Sequence, residues 1–240
     1  MIIEIKDLSL YLNGKIILED INLQVQRGDF LALIGPNGGG KSTLIRCLLG
    51  FIKPQRGKIF LFGKDLTKFR EWYKIGYLPQ RAGKEINSLL PLTVEEFIFL
   101  PSKWYMISPD SEYISHLMNM FGIKDILEKK LSQLSFGQFQ RAYLVRALLL
   151  KPELVILDEP SVGLDFISQE TFYQILSSLH KQGLTIVLIT HETWLISKEV
   201  TKIACLNQRL YYHGEHKEFC VLAERGIPGF SYHRIEHTHW

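Results

Sequence analysis

The chain has 240 residues, 46% of them hydrophobic and 22% charged, with a formal net charge of +3. That length suits one large α/β domain, or a core with an insertion, and buries enough apolar surface to fold without disulfides. So mild a charge makes no demand for nucleic acid. The three cysteines, Cys47, Cys205 and Cys220, are odd in number and far apart, which excludes a disulfide framework or a zinc ribbon and fits a reducing compartment.

The N-terminal residues lack the pattern of a signal peptide, and no apolar run reaches the ~20 residues of a membrane span. A role at a membrane therefore calls for a partner. Residues 2–12 alternate as a strand, Asn13-Gly14 is a hairpin signal, and residues 15–25 form the return strand. Phe30 to Ile34 is an unbroken apolar run, the mark of a strand buried on both faces.

Gly35-Pro36-Asn37-Gly38-Gly39-Gly40-Lys41-Ser42-Thr43 follows directly, and an apolar helix pattern starts after it. Strand, G-x-x-x-x-G-K-[ST], helix is the context of a phosphate-binding loop. Glycines let several backbone N–H groups converge on an anion, and the helix N-terminus adds its positive dipole end. Lys41 supplies a point charge for the β- and γ-phosphates, and Ser42 a hydroxyl for Mg²⁺.

Further on, residues 58–62 and 74–78 read as strands, the second stopped by Pro79 just before Gln80. Thr93-Val94-Glu95-Glu96 is a capping box that opens a helix. The pattern from there to about Leu149 is helical, with expected breaks at Pro101, at Pro109 and over Ser132–Gln138. Leu154 to Leu157 is again a buried strand and ends in Asp158-Glu159, at the edge where open α/β sheets place their ligands. Asp158 suits Mg²⁺, which takes hard oxygen ligands; Glu159 is then available to orient or deprotonate a water. A helix over 168–181, a buried strand over 185–190 and an antiparallel hairpin over 202–212 complete the chain. Strands alternating with helices predict an α/β fold with a mostly parallel sheet covered on both faces, an N-terminal antiparallel β part and a helical insertion. The expected division is a nucleotide-binding core over 1–84 and 151–230, a helical subdomain over 85–150, and a histidine-containing tail over 231–240.

One more stretch, Leu134-Ser135-Phe136-Gly137-Gln138, opens a helix with a hydroxyl and a glycine. By itself it is either an ordinary N-cap or a second anion site. Taken together, these segments resemble, in order and over nearly the whole chain, the ATP-binding cassette (ABC) ATPases, the motor subunits of ABC transporters. Gly35–Thr43 resembles their Walker A motif, Gln80 the Q-loop, Leu134–Gln138 the signature motif, and Leu154–Glu159 the Walker B motif with its glutamate. Ser161-Val162-Gly163-Leu164-Asp165 resembles the D-loop, and His191 the switch histidine.

The resemblance implies that the α/β fold is a P-loop NTPase (RecA-like) core with a helical subdomain. It implies ATP and Mg²⁺ as cofactors, with Ser42, Gln80 and Asp158 at the metal and Glu159, Gln80 and His191 at the reacting phosphate. It implies a head-to-tail dimer of two copies, in which Ser135, Gly137 and Gln138 of one copy close over the nucleotide on the other. It also implies integral membrane permease subunits, an extracytoplasmic substrate-binding protein acting through them, no nucleic acid, and a place on the cytoplasmic face of the cell membrane. Two departures stand out: Phe136 replaces the usual first glycine of the signature, and the residue before the first hairpin turn is Leu12, with Tyr11 beside it as the aromatic that could meet adenine. The segments at Gly35–Thr43, Pro91–Glu96 and Gly163–Asp165 are most similar to the zinc, manganese and iron importers. His213, His216, His233, His237 and His239 supply imidazoles suited to Zn²⁺, or simply a solvated polar tail. The competing readings are a cassette for another small solute or siderophore, and a soluble ABC protein acting on ribosomes or DNA. A guanine-reading Asn-Lys-x-Asp segment, which a regulatory GTPase would carry, is absent from the sequence.

Overall fold

The structure is a computed structural model, and it describes residues 1–80, 91–190 and 200–225. The chain divides into two compact units, Met1–Arg70 with Thr185–Trp240, and Glu71–Leu184.

The first unit holds two sheets. In one, β1 (Ile3–Leu12), β2 (Lys15–Val25), β4 (Arg56–Leu61) and β5 (Lys64–Asp65) pair antiparallel in the order β2-β1-β4-β5. The turn Asn13-Gly14 takes positive φ at both residues, 50° and 75°, the backbone that matches a two-residue hairpin to strand twist. Leu8, Leu10, Leu18, Ile21 and Val25 are buried along these strands. In the other sheet, β3 (Phe30–Ile34) is flanked in parallel by β8 (Thr185–Ile189) and β9 (Lys202–Asn207), and β10 (Arg209–Glu215) pairs antiparallel with β9. Every residue of β3 and β8 is buried, as continuous β-branched and leucine runs require.

The sequence reads 202–212 as an antiparallel hairpin lying over the sheet; the hairpin forms but extends the sheet instead, with β9 paired to β3. Ile203-Ala204-Cys205-Leu206 is fully buried, and a run apolar on both faces belongs inside a sheet. Helix α1 (Lys41–Leu48) buries Leu44, Ile45, Cys47 and Leu48. Burial pushes the Cys47 thiol up to about 11 and that of Cys205 up to about 12, so both are core residues and poor nucleophiles.

In the second unit, β6 (Ile75–Leu78) and β7 (Leu154–Asp158) pair in parallel. Around them run α2 (Val94–Tyr105), α3 (Ser111–Met120), α4 (Phe136–Leu148) and α5 (Phe166–Lys181). The Thr93–Glu96 capping box is formed in both directions. The expected break at Pro101 does not occur: α2 runs through it to Tyr105. The missing N–H costs one rung of the ladder. Packing outweighs that loss, because Phe97 of α2 lies against Phe139 and Tyr143 of α4, with ring centroids 5.6 and 5.3 Å apart. The Arg146 guanidinium caps the Phe97 ring at 4.4 Å. Helix α2 stops instead at Met106, whose φ of 52° makes a left-handed cap. In the first unit, α6 (His216–Arg225) follows β10. No helix among the described residues is long and apolar enough to cross a membrane.

Candidate functional site

In the first unit Gly35–Gly40, the expected phosphate loop, joins β3 to α1. Helix α1 begins after Gly40, at φ 96°, with no side-chain cap. An N-terminus without a capping side chain directs its first N–H groups at whatever anion arrives. Lys41 is only 5% exposed, and its Nζ donates to the carbonyl oxygens of Gly35 at 2.8 Å and Pro36 at 3.0 Å. The ammonium is therefore folded back over its own loop. Ser42 and Thr43 follow it in the first turn of α1. At the hairpin tip, Tyr11 and Leu12 are 38% and 40% exposed. Being adjacent on a strand, they face opposite ways, so each offers an apolar surface of its own.

In the second unit Asp158 ends β7 and is buried, 3% exposed. Glu159 follows at φ 50°, in the left-handed region. A non-glycine residue held there stores about 1–3 kcal/mol of strain, the kind of cost that recurs at functional sites. Gln80, just beyond β6, donates from Nε2 to Oε2 of Glu159. Two residues 79 positions apart in sequence, chosen for one chemical task, thus meet. His191 lies outside the described residues, as do His233, His237 and His239. His213 is half-buried, and burial together with nearby Lys202 pushes its imidazole below the usual range. No group of three or more His, Cys, Asp or Glu side chains among the described residues could hold a metal ion.

Ser135 caps α4. Its Oγ accepts from the Gln138 N–H at 3.3 Å, and the Gln138 side chain accepts from the Ser135 N–H at 3.0 Å. The N-cap reading of this stretch is formed as a capping box, with Ser135 and Gly137 at the helix N-terminus. The Phe136 ring packs on Gly163, where a Cβ would meet its ring carbons at 3.1 and 3.2 Å. Gly163, at φ 88°, has no Cβ to obstruct the ring, which explains how a bulky residue is tolerated at 136. Gly163→Ala is expected to lower the melting temperature by several degrees, through φ strain and ring displacement together. Thermal denaturation checks it; an unchanged melting point would mean the ring is free to move aside.

The Ser161–Asp165 loop is held from α5. Gln169 Nε2 donates to the carbonyls of Ser161 at 3.2 Å and Leu164 at 3.3 Å, and Asp165 caps the helix at the Ser168 N–H. Tyr173 adds a hydroxyl contact to Ser161 Oγ at 3.4 Å. A cavity of about 450 Å³ lies between this loop and the start of α4, lined by Ser135, Gly137, Gln140, Arg141, Leu164 and Phe172 among others. Gln140 is buried there with no hydrogen-bond partner for its Oε1 among the described residues. Sequence reasoning missed Gln140, Gln169 and Tyr173. The one available signal was the i+4 and i+8 spacing of Gln169 and Tyr173 from Asp165, and for Gln140 its place between Phe139 and Ala142 on an apolar helix face, since polar residues there demand partners.

A fold that sets a phosphate loop after one buried strand and an acidic pair after another is that of the P-loop nucleotide hydrolases. The chain belongs to the ABC transporter family, whose sequence profile matches residues 18–162, and it is an ATPase of that family. It is 36% identical to the zinc uptake system ATP-binding protein ZurA of Listeria innocua, over 94% of this chain and 91% of that one. It is 33% identical to the zinc import ATP-binding protein ZnuC of Buchnera aphidicola, over 99% and 97%. Among solved structures, an ATP-binding subunit of an ABC transporter superposes with a TM-score of 0.81 at 31% identity, over 96% of both chains.

Proposed function

We propose that this chain is the ATP-hydrolysing subunit of an importer for a divalent metal ion, zinc foremost. The observation that carries the reading is similarity at full length to two proteins named for zinc uptake and import. The loop Gly35–Thr43 takes the triphosphate, with Lys41 turning from its own carbonyls to the β- and γ-phosphates. The Ser42 hydroxyl, the Gln80 amide oxygen and the Asp158 carboxylate are the hard oxygen donors Mg²⁺ prefers. Gln80 fits that set because its Nε2 is already engaged by Glu159, which leaves the amide oxygen as the donor atom. When bound, Mg²⁺ neutralises charge on the phosphate oxygens. Glu159 takes the proton of the attacking water, Gln80 holds that carboxylate in place, and His191 steadies the γ-phosphate.

The working form is a head-to-tail pair of copies, with Ser135, Gly137 and Gln138 of one closing over the nucleotide of the other. A dimeric ATP-binding cassette bound to ADP and Pi, similar to this chain at 25% identity and a TM-score of 0.75, supports the pairing of two copies. The core over 1–84 and 151–230 then carries the nucleotide, and the helical subdomain over 85–150 carries the signature. Permease subunits anchor the pair at the cytoplasmic face of the membrane, and an extracytoplasmic binding protein delivers the ion. Reconstitution with its cognate permease subunits tests the reading. ATP hydrolysis is expected to rise several-fold with a zinc-loaded binding protein and to stay at its basal level with the metal-free form. Stimulation by a siderophore or another solute instead would overturn the metal cargo and leave the ATPase standing.

A further inference from the structure

The phosphate loop is enclosed by two walls that the nucleotide chemistry does not itself require. A Cβ at Gly35 would lie 1.9 Å from the carbonyl oxygen of Leu206, and one at Gly39 would lie 3.0 Å from the same atom. On the other side, a Cβ at Gly40 would meet Ile17 O at 2.9 Å and Leu18 Cδ2 at 2.8 Å. These glycines are needed because backbone passes against backbone. One wall is the β9–β10 turn and the other is β2.

The two walls are joined. The Gln208 N–H donates to the Gly39 carbonyl at 2.9 Å, and the Gln208 carbonyl accepts from the Glu19 N–H at 2.8 Å. Gln208 sits at φ 61°, a conformation that must be held from outside. The external hold is next to it. Arg209 forks onto Glu19, Nε to Oε2 at 2.8 Å and Nη2 to Oε1 at 2.6 Å. A bidentate guanidinium–carboxylate pair fixes orientation as well as distance.

We propose that the Glu19–Arg209 pair is a positioning device for the nucleotide. It locks the 206–209 turn to β2, and the turn presses the phosphate loop into the shape that receives phosphate. Neither side chain touches the ligand; both act through Gln208. The proposal rests on the reading of Gly35–Thr43 as the phosphate site, which Lys41→Ala tests separately.

The pair is exposed on the Arg209 side, with side-chain accessibilities of 60% for Arg209 and 26% for Glu19. Loss of an exposed pair shifts an equilibrium by a small factor. Arg209→Ala and Glu19→Ala are therefore each expected to raise the Kd for ATP about three- to fivefold, with kcat at saturating ATP within about twofold of wild type. The Gln208 amide should exchange its hydrogen faster in both. The swapped double variant Glu19→Arg, Arg209→Glu should restore affinity to within about twofold. Glu19→Gln, which keeps a hydrogen bond without the charge, serves where an alanine variant folds poorly and should fall between. A lowered melting temperature with an unchanged ATP Kd would mean that the pair only stabilises the fold, and would overturn the proposal. So would two single variants that bind ATP as wild type does, or a swapped variant no better than either alanine.

Discussion

Glu159→Gln is expected to bind ATP with near wild-type affinity and to hydrolyse it at least about a hundredfold more slowly. The range for losing a positioned general base is about 10² to 10⁴. The substitution is isosteric and removes only the charge and the basicity. The structure makes it informative, because the partner of Glu159 is already in place: Gln80 donates to its carboxylate. In the variant two amides face each other, which keeps a hydrogen bond but leaves no group to take a proton from water. Binding determinants in the phosphate loop are untouched. The ATP-loaded state then persists, and size-exclusion chromatography with ATP should show a dimer that the wild type, turning over, does not accumulate. Single-turnover hydrolysis near the wild-type rate would remove Glu159 from the chemistry. The left-handed backbone at this residue predicts that asparagine and glycine replacements retain the fold, since they tolerate that region best.

Lys41→Ala is expected to weaken ATP binding by about a hundredfold or more, corresponding to the loss of one or two charge-assisted hydrogen bonds to phosphate. Calorimetric titration of ATP and ADP checks it. ADP should lose less, because the γ-phosphate is the more exposed claimant on the ammonium. The variant also strips the Gly35 and Pro36 carbonyls of their donor, so a stability measurement belongs beside the titration. Lys41→Met, which keeps the aliphatic stem in its buried slot, separates the two effects: it should restore packing and leave affinity low. An unchanged ATP affinity in both variants would contradict the phosphate-loop reading.

The parts of this molecule legible in the sequence were those governed by local rules. Continuous apolar runs gave β3, β7 and β8, because a strand buried on both faces has no polar alternative. Asn13-Gly14 named its own turn, and Thr93–Glu96 its own cap. The strand–loop–helix around Gly35–Thr43 was legible because the G-x-x-x-x-G-K-[ST] pattern fixes both residue type and spacing. What stayed hidden depended on partners distant in sequence. Helix α2 passes through Pro101 because Phe97 is clamped by α4, which no local window contains. The 202–212 hairpin joins the sheet because β3 leaves an edge for β9. Phe136 is a departure from a glycine-rich signature that only its packing on Gly163, 27 positions on, accounts for. The bond from Gln80 to Glu159 was foreseen as shared chemistry but not as a direct contact.

The inward fold of Lys41 has a consequence for what the loop admits. With Nζ bound to two main-chain oxygens, an arriving anion does not meet a bare cation; it competes with internal ligands for the ammonium's three N–H donors. Capture is an exchange, and its equilibrium is set by the difference between what is gained and what is given up. A small monoanion offers one weak acceptor in place of two carbonyls and gains little. A polyphosphate chain offers several strong acceptors at once and reaches the helix N-terminus as well. The resting geometry of Lys41 is therefore expected to favour a polyphosphate over chloride and other simple salts, which a competition titration of ATP against chloride checks.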